Sequence, residues 1–529
     1  MHDKNRDALP SVLHMWSSSQ ADRAEPDCES LECVLHCAIS CGFIADVQAI
    51  LDVGVPPTLI WSFEDRYNGP RYTTPLLMAA LHGQRDVARL LWERVGPEGR
   101  FYPSNERNNF DFWSCIRDAA GAGHGPMVVE FLDMCNGWTV AELREALVAA
   151  AEEWRTDVVD LLLTRVTYTA DDIQDALVAS VVGSFFLPDD GVVTRQHETV
   201  CRLVTAGGDP NGNIGTRERY TGPLLIWAAY TADSLGQLTG LLKMGANPNI
   251  QDPANGQTAL HQYRRHSPAP SSIIAAKALL ESGASPDLGD HEGETPLHFM
   301  ALAGTPEELK LYLDHCNDGA AAALRLESTH GETLLHFAAF GKNLAVVEFL
   351  IEHGLDVNAM DKHGWTPLVC ALMPSRRRSL SAAQNVAKSL LQHGALANII
   401  TAENWTPMHG LASWTSRSWR TDDGKVDLEL AKELISRGAS LDAEAIVLRG
   451  KDVERQALYE QWGFRMQRFV EKERDNETES VPGRDTTPHM WAFRAGESGL
   501  FHVISDHLDT ASKTGDRDII RFATYEFSP

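Results

Sequence analysis

The chain has 529 residues, of which 43% are hydrophobic and 23% charged, a composition that allows most of it to bury a core and excludes wholesale disorder. Its formal net charge of -26 repels nucleic-acid phosphates and anionic lipid, so we expect no direct binding to nucleic acid or membrane. Nine cysteines, an odd number, indicate reduced thiols, and the longest apolar stretch, residues 176–187, is shorter than the roughly 20 residues of a membrane span.

The first 30 residues are rich in serine and acidic side chains and contain no apolar block of signal-peptide length, which predicts a polar N-terminal arm. Next, Cys33, Cys37 and Cys41 recur every four residues on one face of a predicted helix. Structural zinc sites usually use cysteine pairs on a turn, and thiols in a row along a helix cannot all reach one ion. We therefore interpret them as buried thiols and predict no metal.

One pattern recurs through most of the chain and predicts a repeated unit. It reads Gly-x-Thr-Pro-Leu-His in its fullest form, and Thr366 lies 33 residues after Thr333. Each copy is followed by a helix of small residues, then by a second helix, and then by a glycine that suits the positive φ of a helix end. The clearest copies are residues 293–298, 331–336, 364–368 and 404–409. The closing glycines are Gly245, Gly283, Gly354, Gly394 and Gly438.

These motifs resemble the ankyrin-repeat family, whose unit of about 33 residues contains a turn and two antiparallel helices. The resemblance implies an all-α solenoid of about eleven helix-turn-helix units over residues 31–442, with a helical C-terminal extension. Units three to five lack the Thr-Pro start. Residues 443–485 are predicted to form a helix and a polar linker. Residues 486–529 are predicted to form a degenerate capping repeat and a tail.

Histidines close several of the motifs and are the obvious candidates for catalysis or metal binding. A catalytic residue has no reason to recur in every unit, whereas a hydrogen bond that joins one turn to the next does. We therefore predict a structural role for these side chains. They are His36, His261, His298, His336 and His409. The sequence has no phosphate-binding loop, nucleophile elbow or dinucleotide fingerprint, so we expect no cofactor.

The residue that follows each predicted turn glycine or asparagine forms a ladder that ends in two tryptophans. The ladder is Gln257, Glu294, Glu332, Trp365 and Trp405. The ankyrin resemblance implies that this position projects along a concave surface. We predict Trp365 and Trp405 as exposed anchors for a protein partner, because exposed tryptophan is enriched at binding hot spots, and Glu294 and Glu332 as polar selectors. The alternative is that the tryptophans pack on the neighbouring turn.

Insertions between the two helices of particular units contain basic and aromatic residues in an otherwise acidic chain. The candidate contacts are Arg376, Arg377, Arg378, Trp414 and Trp419. Arginine and indole groups could hold an acidic or phosphorylated partner segment, although such loops could equally be solvated. The arginines before Ser379 also resemble a basophilic kinase site.

Together these features predict a non-catalytic interaction scaffold or regulatory subunit in the cytoplasm or nucleus. One version is a transcription co-regulator that reaches DNA only through a partner. The alternative function is an enzyme or a ligase adaptor that uses the C-terminal extension or the solenoid groove.

Overall fold

In a computed structural model the chain forms two compact units, Met1–Asn247 and Pro248–Pro529, each of which is described by itself. The described residues are 28–65, 69–96, 114–183, 191–215, 221–230, 234–262, 271–373, 379–402, 404–413, 426–441 and 502–507. The predicted boundaries at residues 30, 442 and 485 stay predictions, because residues 1–27 and 442–501 lie outside these ranges.

The first unit consists largely of helix pairs. Its helices are α1 (Cys28–Cys41), α2 (Ile44–Asp52), α3 (Pro75–Leu81), α4 (Arg85–Val95), α5 (Cys115–Ala122), α6 (Gly125–Met134), α7 (Val140–Glu152), α8 (Thr156–Arg165), α9 (Ala170–Val182), α10 (Val192–Thr205), α11 (Leu224–Tyr230) and α12 (Leu235–Lys243). First helices of successive pairs pack together, as α5 does on α7 and α7 on α9. Stacking buries the apolar face that one pair cannot cover alone.

The second unit repeats the same arrangement. Its helices are α13 (Ser271–Glu281), α14 (Pro296–Ala303), α15 (Pro306–Leu313), α16 (Ala320–Ala323), α17 (Leu334–Phe340), α18 (Leu344–Glu352), α19 (Pro367–Leu372), α20 (Leu380–Gln392), α21 (Pro407–Ser413) and α22 (Leu428–Ser436), with a 3-10 helix at Ala259–Gln262. Helix α17 packs between α14 and α19, and α19 packs on α21. The predicted helical repeat fold is confirmed in both units.

The five glycines predicted to close second helices all have positive φ, between 84° and 90°. This confirms the predicted helix ends, because a left-handed residue allows the chain to leave the helix and glycine adopts it at little cost. The helix at residues 502–507 lies within the segment predicted as a capping repeat, and its Ile504 is fully buried.

Two local features differ from the sequence prediction. An antiparallel hairpin pairs β1 (Trp61–Asp65) with β2 (Gly69–Thr73) in the first unit, within a chain predicted to be all helical. The alternation of Trp61 and Phe63 favours a strand. The prediction of an all-helical repeat did not include this strand. In addition, Cys37 and Cys41 are exposed, which corrects the prediction of buried thiols, because the face of α1 that carries them is not covered.

Two units that lack the Thr-Pro start use a different cap with the same geometry. The backbone N–H of Thr139 donates to Glu142 Oε2 at 2.8 Å, and the N–H of Glu142 donates to Thr139 Oγ1 at 3.2 Å. Thr169 and Asp172 form the same reciprocal pair at the start of α9. These capping boxes begin the first helices where the sequence prediction found no start signal.

No helix in the described parts of the chain is long and apolar enough to cross a membrane.

Candidate protein-interaction surface

Five tight turns, here called finger turns, lie in the second unit. They are residues 252–257, 290–294, 328–332, 361–365 and 401–405, with residue 403 outside the described chain. In each finger turn the first residue donates its backbone N–H to the carbonyl oxygen of the last. These bonds join Asp252 to Gln257 (2.8 Å), Asp290 to Glu294 (2.9 Å), Ser328 to Glu332 (2.9 Å), Asp361 to Trp365 (3.0 Å) and Thr401 to Trp405 (2.9 Å).

Backbone hydrogen bonds also join each finger turn to the next. They run from His291 N–H to the Asn255 carbonyl (3.0 Å), from Thr329 to Glu292 (2.8 Å), from Lys362 to His330 (2.8 Å) and from Ala402 to His363 (2.8 Å). Because these bonds use the main chain, they do not depend on which side chain each tip carries. The finger turns therefore form one continuous, hydrogen-bonded row that can present variable side chains.

The motif histidines add a second tie between neighbouring repeats. Nδ1 of His298 accepts the backbone N–H of Thr295 at 3.0 Å, which leaves Nε2 as the protonated nitrogen. The Nε2–H groups donate to carbonyl oxygens of the next finger turn. These bonds join His261 to Glu294 (3.0 Å), His298 to Glu332 (3.3 Å) and His336 to Trp365 (3.0 Å). The predicted structural role is confirmed for these three histidines.

One repeat lacks this tie because a valine occupies the histidine position. Val369 has no ring nitrogen, so it can neither cap Thr366 nor donate to the following finger turn. The Thr366 hydroxyl is consequently buried without a hydrogen-bond partner in the described part of the chain. Within the described residues, no group of three or more His, Cys, Asp or Glu side chains could hold a metal ion.

The prediction that Trp365 and Trp405 are exposed is wrong. Trp365 is 6% exposed and Trp405 is fully buried, and their ring centroids are 6.4 Å apart. The structure therefore has the alternative arrangement, in which the indoles pack on neighbouring finger turns. The physical reason is that the last residue of a finger turn lies at its base, where a large apolar ring is removed from water by the adjacent repeat.

The predicted polar selectors are buried as well, because they occupy the same position. Glu332 Oε2 accepts a hydrogen bond from Ser328 Oγ at 3.0 Å, within its own finger turn. The backbone N–H of the buried Glu294 donates to Asp290 Oδ1 at 2.9 Å. Burial also raises the pKa of Asp290, although Gln257 and backbone N–H groups hydrogen-bond to its carboxylate. Both glutamate side chains are buried and are not available as surface selectors.

Apolar side chains are instead exposed one residue before two of the finger turns. Met360 is 54% exposed and Ile400 is 50% exposed, in equivalent positions of consecutive repeats. The three preceding repeats have Gln251, Gly289 and Glu327 in this position. The polar tips of the row, His291, Glu292 and Lys362, are also exposed. These five side chains, Met360, Ile400, His291, Glu292 and Lys362, are called the finger surface.

The sequence prediction missed Met360 and Ile400, although a signal was present. The position before the turn is glutamine, glycine or glutamate in the three earlier repeats and becomes apolar in the two repeats that carry Trp365 and Trp405. The predicted contacts Arg376, Arg377, Arg378, Trp414 and Trp419 lie outside the described residues and stay predictions. Ser379 is described, and its hydroxyl accepts the Ala382 N–H at 3.1 Å at the start of α20.

The stacked helix pairs and the finger row define a helical repeat protein. Residues 271–361 and 301–395 match the profile of the family described as ankyrin repeats, in three copies. Residues 271–395 of this chain are ankyrin repeats. Repeat arrays of this kind present extended surfaces on which other molecules bind.

Three relatives illustrate the similarity. An ankyrin repeat protein of Rickettsia felis is 26% identical over 136 residues, which cover 26% of this chain and 42% of the relative. SH3 and multiple ankyrin repeat domains protein 2 of Homo sapiens is 31% identical over 184 residues, or 35% of this chain and 9% of the relative. NF-kappa-B inhibitor alpha of Mus musculus is 36% identical over 87 residues, which cover 16% of this chain and 28% of the relative. The chain thus matches less than half the length of each of these relatives.

Proposed function

We propose that this protein is a non-catalytic scaffold or regulatory subunit that holds a protein partner on the finger surface. The observation that carries the proposal is the exposure of Met360 and Ile400 on finger repeats that backbone hydrogen bonds join together. Exposed apolar side chains grouped among polar residues are typical of sites where another protein binds.

The rigidity of the row supports this proposal. Ala402 N–H donates to the His363 carbonyl, so the repeats that carry Met360 and Ile400 are already fixed before any partner arrives. A surface ordered in advance loses little conformational entropy on binding, and more of the contact energy then appears as affinity. The buried pair of Trp365 and Trp405 supports the same two finger turns from within.

The composition of the finger surface favours a protein over a nucleic acid. Its apolar pair is accompanied by one cationic side chain, Lys362, and one anionic side chain, Glu292. A phosphate backbone needs a basic surface, and the chain as a whole carries a net charge of -26. An apolar centre with a mixed polar rim matches the composition of protein interfaces.

The relatives support a regulatory version of this proposal. NF-kappa-B inhibitor alpha is by name an inhibitor of NF-kappa-B, and its similarity to this chain is confined to 87 residues. We propose that this chain likewise acts by holding a partner inside the cell, in the cytoplasm or the nucleus. The insertions that contain Arg376 to Arg378, Trp414 and Trp419 would add a contact for an acidic or phosphorylated segment.

The test compares affinity capture with the intact chain and with a Met360→Glu, Ile400→Glu double variant. We expect the variant to lose about tenfold or more of at least one captured protein, because each glutamate would have to be desolvated at the interface. The melting temperature should be unchanged, because both side chains are half exposed. A double variant of Val53 and Val140, which are 62% and 69% exposed in the first unit, is the matched control. If both double variants capture the same proteins in the same amounts as the intact chain, the finger surface is not the binding site.

A further inference from the structure

The residue that precedes the second helix of a repeat makes an unusual bond in four repeats. Its φ lies between -94° and -82° and its ψ between 65° and 80°, and its side chain does not cap its own helix. Instead the side chain reaches back to a carbonyl oxygen of the preceding repeat. The bonds join Gln84 Nε2 to Ser40 (3.0 Å), His124 Nε2 to Leu81 (2.9 Å), Arg155 Nε to Gly121 (3.0 Å) and Asn343 Nδ2 to Gly304 (2.7 Å).

Arg155 is the exception in this set, because a short neutral or imidazole side chain would be enough for the bond. Its Nε–H donates to the Gly121 carbonyl, which leaves both Nη groups at the far end of the guanidinium. Within the described residues, no carboxylate forms an ion pair with Arg155. Gly123 leaves room for the side chain, since a Cβ at that position would lie 2.9 Å from Arg155 Cδ. The guanidinium is therefore held at one end and uncommitted at the other.

Arg155 lines a cavity of about 580 Å³ in the first unit. The N-terminal residues of α8, Thr156 and Asp157, line it on one side, and Glu198 and Arg202 of α10 line it on another. Trp154 contributes a fixed wall, because its φ is 51° and its Nε1–H donates to the Ser180 carbonyl at 2.8 Å.

The charges in the cavity are mixed. Arg202 forms an ion pair with Asp160, which neutralises both side chains. Arg195 also lines the cavity and has partners of its own. The remaining carboxylates, Asp157 and Glu198, would repel a chain of consecutive acidic residues. A ligand that suits this arrangement carries one anionic group with cationic groups beside it.

We infer that this cavity binds a single carboxylate or phosphate, flanked by basic residues, on a segment of a partner protein, with Arg155 as its principal ligand. A guanidinium fork donates two parallel hydrogen bonds to either anion. The N-terminus of α8 adds the partial positive charge of a helix end beside the same anion. The basic neighbours of the anion would lie against Asp157 and Glu198. This site does not depend on the finger surface.

The chain itself suggests the variant that tests this inference. Gln84 occupies the equivalent position in another repeat and makes the bond to the preceding repeat. Arg155→Gln should therefore keep the tie to Gly121 and the melting temperature, while it removes the charge and the fork. The probes are short blocked peptides with two lysines on either side of a central glutamate, phosphoserine or glutamine. Their affinity for the full chain is measured by titration calorimetry.

We expect the intact chain to bind the glutamate peptide, the phosphoserine peptide or both at least about tenfold more tightly than the glutamine peptide. Whichever of the glutamate and phosphoserine peptides binds more tightly shows whether the anion is a carboxylate or a phosphate. In Arg155→Gln this preference should disappear, and in the Met360→Glu, Ile400→Glu variant it should persist. Equal affinity of the intact chain for all three peptides would overturn the inference. So would a preference that survives in a folded Arg155→Gln variant.

Discussion

The histidine of the Thr-Pro-Leu-His motif uses both ring nitrogens: in His298, Nδ1 accepts the threonine N–H and Nε2 donates to the next finger turn. Glu142 and Asp172 replace it in two repeats, where a carboxylate accepts the threonine N–H equally well. A carboxylate has no hydrogen to donate, so it caps its own helix but cannot donate to the next repeat. Histidine therefore combines a helix cap with a tie between repeats.

His336→Ala should lower the free energy of unfolding by about 2 to 4 kcal/mol, because it leaves the Thr333 N–H and the Trp365 carbonyl without this partner. His353→Ala is the matched control, since His353 is exposed, and its hydrogen bond to the Phe349 carbonyl and its contact with the Phe349 ring stay within the same repeat. Urea denaturation followed by circular dichroism provides the measurement. Equal destabilisation by the two substitutions would contradict the structural role.

Stability should also fall in mild acid because of His336. Burial lowers the pKa of this side chain to about 4, against the opposing effect of its hydrogen bond to Trp365. Between the unfolded value of about 6.5 and this folded value, the unfolded chain binds the proton and the native chain does not, so stability decreases as the pH falls. The loss approaches about 1.4 kcal/mol per pH unit for one proton, or roughly 3 kcal/mol over the whole window.

His336→Ala isolates this contribution from those of other groups. The difference in unfolding free energy between the intact chain and the variant should be largest above about pH 6.5 and should shrink toward pH 4. A difference that stays constant over this range would mean that His336 does not titrate as its burial predicts.

Glycine serves two different purposes in neighbouring helical elements. Gly354 ends α18 at φ 84°, and a Cβ there would meet nothing within 4 Å. Gly341 follows α17 with an ordinary helical φ of -67°, but a Cβ there would lie 2.0 Å from the Leu302 carbonyl oxygen. The first glycine permits a backbone conformation, and the second permits close approach of two repeats.

Gly354→Ala should therefore cost about 1 kcal/mol for the left-handed conformation alone. Gly341→Ala should cost more than about 2 kcal/mol, because the helices of adjacent repeats must separate. Thermal and urea denaturation of the two variants provide the comparison. The packing account is contradicted if Gly341→Ala is the milder substitution.

At the level of elements, much of the fold could be predicted because repeated signals reinforce one another. The Thr-Pro starts and the closing glycines recur at matching intervals, so helix ends such as Gly354 could be located from the sequence. Among the described residues the hairpin of Trp61–Asp65 and Gly69–Thr73 occurs once, so no repeated signal predicts it. The caps at Thr139 and Thr169 use acidic residues in the histidine position, so they do not match the Thr-Pro-Leu-His motif.

The candidate site was less predictable, because side-chain exposure depends on how adjacent repeats pack. The family resemblance placed Trp365 on a concave surface, and the neighbouring finger turn covers it instead. Met360 is apolar in sequence and ordinary for a core, and only the structure leaves it exposed. Arg155 belongs to no sequence motif, and only the structure shows that it makes the same bond as Gln84, His124 and Asn343 in other repeats.

At the scale of the whole molecule, the two units present different recognition chemistry. The second unit has the finger row, with an apolar pair among polar tips. The first unit has the Arg155 cavity, in repeats whose starts at Thr139 and Thr169 are acidic capping boxes. A chain with two such sites could hold two features of one partner or two separate partners, and affinity would then depend on both.

The most direct test of the central proposal is site-specific photo-crosslinking in the native cell. The photoreactive residue p-benzoylphenylalanine replaces Met360 or Ile400 in one pair of full-length chains, and Val53 or Val140 in a control pair. We predict that the two finger positions crosslink to a common partner protein that neither control position captures. If positions 360 and 400 yield no crosslinked protein, or only those that the control positions also yield, the finger surface does not hold the partner.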